Sequence, residues 1–183
     1  MGSEMCIRDR DNTKGRIFAY DFQGNMLYAF GGHGYKAGLF MNPSAIEDLG
    51  DSLLVTDQKL GTITQFTLTD YGKMINDGLA EYKKGNYEES ANIWREVLKH
   101  NGNYDQAYIG IGRALLREKN YKEAMDYFEL KLDAKNYSKA FKLYREVWFE
   151  ENIGTILIII AILILLGFGV GFVKKARREV EKG

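Results

Sequence analysis

The chain has little of what most small catalytic or metal-binding modules rely on. A single cysteine, Cys6, excludes an internal disulfide framework. With only two histidines beside it, the chain has no ligand set for a zinc site built from those residues. Neither sign of charge is in excess: 25 Lys and Arg balance 25 Asp and Glu. Nothing in that balance points to nucleic acid or to an acidic partner, and no cofactor is expected. There is one proline, Pro43. The opening MGSEMCIRDRD carries acids and arginines but no apolar run of the kind a secretory signal has.

Against that background one stretch stands out. Residues Ile153–Val173 carry no charge and nothing more polar than Thr155. As a helix the run is about 31 Å long, matching a hydrocarbon core of roughly 30 Å. Trp148 and Phe149 stand where interfacial aromatic anchors lie, and Lys174, Lys175, Arg177 and Arg178 follow at once. Excess Lys and Arg mark the cytoplasmic side, which places the C-terminal tail inside and residues 1–152 outside. Lys131, Lys135, Lys139, Lys142 and Arg145 lie on the other side, but they belong to a folded domain, which translocates largely regardless of charge. The glycines at 167, 169 and 171 are spaced by two rather than by four, so they do not form a helix-dimer face.

Residues 14–70 alternate apolar and polar positions between Gly- and Asp-rich breaks, which predicts short antiparallel strands. The expected strands are Arg16–Phe22, Met26–Phe30, Ser44–Leu49, Ser52–Asp57 and Thr62–Leu68, with turns at Phe22–Asn25 and Leu49–Asp51. The run GRIFAYDFQGNMLYAFG (15–31), the corner GLFMNP (38–43), LLVTD (53–57) and ITQF (63–66) together resemble NHL-type β-propeller repeats. That resemblance implies a partial propeller of one to two blades, since a blade takes about 40–45 residues and a ring needs at least four. Asp21 and Asp57 fall where Asp closes a turn, and are expected to be structural. Gly31-Gly32-His33-Gly34 lacks the Lys-Ser/Thr and following helix of a phosphate loop, and is read as a corner between strands.

After Asp70 the period changes to that of a helix. GLAEYKKGNYEESANIW (78–94) and GRALLREKNYKEAMDYF (112–128) align at an offset of 34 residues. The pairs Gly78/Gly112, Ala80/Ala114, Tyr87/Tyr121, Ser90/Ala124 and Trp94/Phe128 resemble the tetratricopeptide repeat, whose period is 34. Small residues let the paired helices approach, and the aromatics fill the gap between them. The closing proline of that repeat is absent. NYSKAFKLY (136–144) reproduces half of a third unit, read as a capping helix Tyr137–Glu150 that runs on into the apolar stretch. The resemblance implies a protein or peptide partner on the surface lined by first helices. The outward-turned candidates are Tyr82, Lys83, Arg113 and Arg117; a solvated helix face is the plainer reading of the two arginines. Tyr104, Tyr108, Tyr121 and Tyr127 read as packing.

The first ten residues look foreign to the rest, and EMCIRDR resembles a translated sequencing-adapter tail. The native chain is then expected to continue upstream, where a secretory signal would lie. The expected organisation is a mixed fold. A disordered or artefactual leader (1–13) precedes a partial NHL-like propeller (14–70), tetratricopeptide-like repeats (71–150), a transmembrane helix (151–174) and a basic cytoplasmic tail (175–183). As a whole it resembles bacterial membrane proteins that combine the two repeat types. That implies a non-enzymatic, membrane-anchored interaction scaffold, extracytoplasmic and accessory to an envelope or transporter assembly, with the lipid bilayer around 153–173. Two alternatives stand beside it: a tethered propeller hydrolase with its active site in upstream blades, and a scaffold whose repeats face the cytoplasm.

Overall fold

A computed structural model describes residues 7–50 and 52–180, with side chains described as far as Gly171. The chain divides between Ala140 and Phe141 into two compact units.

The first unit opens with six strands: β1 (Ile7–Asp11), β2 (Arg16–Tyr20), β3 (Met26–Gly31), β4 (Pro43–Leu49), β5 (Ser52–Asp57) and β6 (Thr62–Thr67). They form two three-stranded antiparallel sheets, ordered β1-β2-β3 and β4-β5-β6. Alternation decides which side chains go inward. Ile17 and Ala19 of β2 and Leu53 and Val55 of β5 are buried, while their neighbours in sequence are only partly covered. Ile17, Phe40, Leu53 and Val55 form a core against which Phe30, Ile46 and Phe66 pack, drawing on both sheets. Phe66 lies 4.8 Å from the Phe30 ring and 5.7 Å from the Phe40 ring.

The five expected strands are present to within about two residues at either end. Strand β1 lies inside the segment expected as a disordered or artefactual leader at 1–13. Residues 7–11 pair along their whole length with β2, from Ile7 opposite Tyr20 to Asp11 opposite Arg16. Arg8 is tied by a 2.6 Å ion pair to Asp48. The Asp11 carboxylate accepts from the backbone amides of Thr13 and Lys14, both at 2.9 Å, and so fixes the turn into β2. Asp57 does the same for Lys59 and Leu60, both at 2.9 Å, and fixes the turn into β6. Gly15 and Gly61 close these turns at the same left-handed φ of 61°. Strand–turn–strand is therefore one unit used twice, from Asp11 and from Asp57. Residues 1–6, Cys6 among them, lie outside the described residues.

Helices α1 (Asp70–Lys84), α2 (Tyr87–His100), α3 (Asp105–Arg117) and α4 (Tyr121–Leu130) follow. Thr69 caps α1 by accepting from the Gly72 amide at 3.2 Å, and Gly85 ends it at φ 91°. The expected close approach of paired helices is realised through missing side chains. A Cβ at Gly78 would lie 2.9 Å from the Trp94 ring, and one at Gly112 would lie 2.7 Å from the Phe128 ring. Gly110 of α3 sits on Trp94 as well, where a Cβ would come within 2.6 Å of the indole nitrogen. Trp94 and Phe128 are buried. Ser90 replaces a methyl group at the same layer and satisfies itself by donating to the Gly78 carbonyl at 2.7 Å.

Helix α5 runs unbroken over Ala134–Val180. It starts three residues ahead of the expected Tyr137, because Asp133 accepts from the Asn136 amide at 3.1 Å in the manner of an N-cap. Ala140 is fully buried in the first unit. Within the second unit, Trp148 and Phe149 meet edge to face at 5.4 Å. Asn152 turns its amide back to the Trp148 carbonyl at 2.8 Å. Among the described residues this is the one helix long and apolar enough to cross a membrane: its most apolar window has a mean hydropathy of 3.0 and is not buried.

Candidate functional site

Helix periodicity brings three of the four expected partner-binding residues together. Tyr82 lies in the last turns of α1, and Arg113 and Arg117 stand one turn apart on one face of α3. The Tyr82 ring lies 5.1 Å from the Arg113 guanidinium carbon, and the Tyr82 Oη accepts from Arg117 Nε at 3.2 Å. Tyr87 buttresses that ring edge-on at 5.3 Å. The hydrogen bond to Tyr82 pushes the already basic Arg117 guanidinium up further, so this cation is permanent. Arg117 is exposed, and so is Lys83.

Arg113 does not face outward, and here the expectation is corrected. The residue is only 7% exposed. The reason is the β2–β3 hairpin, which packs onto the surface of the first helices. Tyr104 of the α2–α3 junction donates its hydroxyl to the Leu27 carbonyl at 2.8 Å, and Tyr28 Oη lies 3.5 Å from Asn76 Oδ1 of α1. The hairpin tip puts Asp21 Oδ2 at 3.4 Å from Arg113 Nη1 and the Phe22 ring at 5.7 Å from its guanidinium carbon. Arg113 thus makes cation–π contacts with two aromatic rings, Tyr82 and Phe22. Its other terminal nitrogen, Nη2, is buried without a hydrogen-bond partner.

Asp21 has the structural role expected of it. Its Oδ1 accepts from the amides of Gln23 at 2.8 Å and Asn25 at 2.9 Å, and Oδ2 accepts from the Asn25 side chain at 2.9 Å. Asp57 is also structural: besides its own turn, it captures the amides of Met41 at 2.6 Å and Asn42 at 3.0 Å. Burial pushes the Asp57 carboxyl up, but hydrogen bonds from Asn42, Leu60, Met41 and Lys59 outweigh this and hold it below its ordinary value. The corner at Gly31–Gly34 is a backbone feature, in which Phe40 donates to the Gly32 carbonyl at 2.8 Å and Gly34 donates to Phe40 at 3.1 Å.

A cleft opens between the hairpin tip and the helices, lined by Asp21, Leu27, Tyr82, Trp94, Gln106 and Arg113 among others. Guanidinium forks, aromatic faces and a carboxamide are groups that recognise carboxylates and rings. Among the described residues no three His, Cys, Asp or Glu side chains converge as metal ligands would. Reading the sequence missed Phe22 and Trp94 as members of this site. Their part in it arises from contact between segments far apart in the chain, and no local pattern carries that.

Residues 76–139 match the tetratricopeptide repeat family. The matched segment contains α2, α3 and α4 whole, and with them Tyr82, Lys83, Arg113 and Arg117. Repeats of this kind typically serve as non-catalytic scaffolds for protein–protein interaction. No curated protein matches the chain significantly.

Proposed function

We propose that this chain is a membrane-anchored interaction scaffold. Its repeats take a protein or peptide partner on the surface of the first helices, around Tyr82, Arg113 and Arg117, and Ile153–Val173 lies in the bilayer. The observation that carries the reading is the convergence of those three side chains, with Arg113 beneath the hairpin and Arg117 exposed beside it, inside the segment that matches the repeat family. The exposed apolar run of α5 supports the anchor. The two Asp-closed strand units support an NHL-like β region. The basic residues after the span favour repeats outside the cytoplasm, where they would serve an envelope or transporter assembly.

Three experiments test this. A photo-crosslinking residue is placed at Lys83, Arg117 or, on the outer helix, Lys99. A defined adduct at 117 that is absent at 99 is expected; equal labelling or none at either position defeats the partner surface. For the anchor, the intact chain stays with membranes through carbonate extraction, and removal of 153–173 releases it. In a Cys6→Ala background, Gly102→Cys on intact cells should react with an impermeant thiol reagent, and failure to react reverses the orientation.

A further inference from the structure

The cleft at Arg113 is already filled, and filled badly. Asp21 approaches at 3.4 Å, well beyond the roughly 2.7–2.9 Å of a good charge-assisted hydrogen bond. Its carboxylate is committed to the hairpin turn, where three donors hold it. A guanidinium presents five N–H donors in a fixed fork, yet Nη2 is buried with no partner. A buried cation that is only partly satisfied is costly, and better pairing is the way to relieve that cost. The Phe22 ring lies 5.7 Å from the guanidinium carbon but stays 51% exposed, so this half of the tip is lightly held.

We propose that the Asp21–Phe22 tip of the β2–β3 hairpin is an internal stand-in for an acidic–aromatic peptide of the partner, which displaces it from the Arg113 cleft. This deepens the proposed function and rests on it. A carboxylate with no turn to maintain spans both terminal nitrogens of Arg113 in fork geometry. An aromatic neighbour takes the place of Phe22 beside the Arg113 guanidinium. Arg117 is exposed one turn further along α3 and already oriented by Tyr82, and it receives a second acidic side chain. The chemical class of the ligand is therefore a short peptide with Asp or Glu beside Phe or Tyr.

The test uses the full chain in nanodiscs and fluorescein-labelled peptides read by anisotropy. The probe AYDFQGN has the sequence of residues 19–25, and AYNAQGN is its control. Phe22→Ala leaves the Asp21 turn bonds intact and is expected to tighten AYDFQGN binding about three-fold over the unaltered chain. The double variant Asp21→Ala/Phe22→Ala, checked for helix content by circular dichroism, is expected to tighten it ten-fold or more. Adding Arg113→Met to either background should lose at least ten-fold, and AYNAQGN should bind neither. No gain in folded Phe22→Ala, or binding indifferent to Arg113→Met, overturns the proposal. If apolar or basic peptides bind through Tyr82 and Arg117 while AYDFQGN does not, this inference falls and the partner surface stands. If no peptide of any class binds, both fall.

Discussion

In the helical stack, backbones reach aromatic faces because side chains are missing: Gly78 and Gly110 sit on Trp94, and Gly112 sits on Phe128. The β region also uses a glycine against a ring, Gly31 on Phe40, but adds a second device, with Asp21 and Asp57 each drawing several amides onto one buried carboxylate. Two neighbouring parts of one compact unit thus differ in whether charge is part of the packing. Shape complementarity in the helices carries no titratable group. Carboxylate capture does, and at Asp57 its strength depends on pH.

The sharpest way to break the first half of that contrast is Trp94→Ala. Removing a fully buried indole should cost about 3–5 kcal/mol, read as a lower urea midpoint of the 222 nm signal. A loss under about 1 kcal/mol would mean that the stack does not depend on this contact. Gly110→Ala adds a single methyl where the ring already lies, and about 1–3 kcal/mol of destabilisation is expected from overpacking. The control Gly102→Ala has its nearest atom at 3.9 Å and should stay within about 0.5 kcal/mol.

The second half of the contrast is tested at Asp57. Asp57→Asn keeps the shape but replaces one accepting oxygen by a donor facing two amides, for an expected loss of about 1–3 kcal/mol. Hydrogen exchange at Met41, Asn42, Lys59 and Leu60 should speed up, while the helical amides stay protected. The pH profile has a definite sign. The folded-state pKa of Asp57 is depressed below 3.8, so its contribution is fully present above that value and disappears as the pH falls through the lower folded one. In Asp57→Asn that acid-dependent component of stability should vanish, whereas Trp94→Ala should leave it in place.

The smallest effect sits at the junction of the two regions. A double-mutant cycle with Asp21→Asn and Arg113→Met should return a coupling of about 0.5–1 kcal/mol, low for residues in contact, because the pair is long. A coupling of 2 kcal/mol or more would make the junction a strong ion pair, and the hairpin tip a permanent part of the helical surface.

Local patterns made most of the fold legible. Strict alternation marked β2 to β6, and the 34-residue offset marked the helical pairs, because each pattern reports burial on one face of one element. Strand β1 escaped because IRDRD has one apolar residue and no alternation; the spacing Asp11…Gly15, echoed by Asp57…Gly61, was the available clue. That Arg113 and Arg117 share a face follows from their i and i+4 spacing on α3, whereas the approach of Tyr82 from α1 depends on how the two helices pack. The burial of Arg113 was not legible. It depends on a hairpin that arrives from 92 residues earlier in the chain, and helix periodicity cannot tell a face turned to water from one covered by another part of the fold.

Gly110 lies outside the correspondence that relates the two helical pairs. Thirty-four residues before it stands Asn76, and thirty-four after it stands Tyr144. Trp94 therefore has a seat that needs a glycine from the pair that follows, and Phe128 asks for no such glycine. The two pairs are not interchangeable copies. Exchanging their order, or inserting a duplicate of the first pair, would bring the indole up against a residue with a side chain. The array has a fixed reading direction, and growth by repeating the first pair would fail at the junction it created.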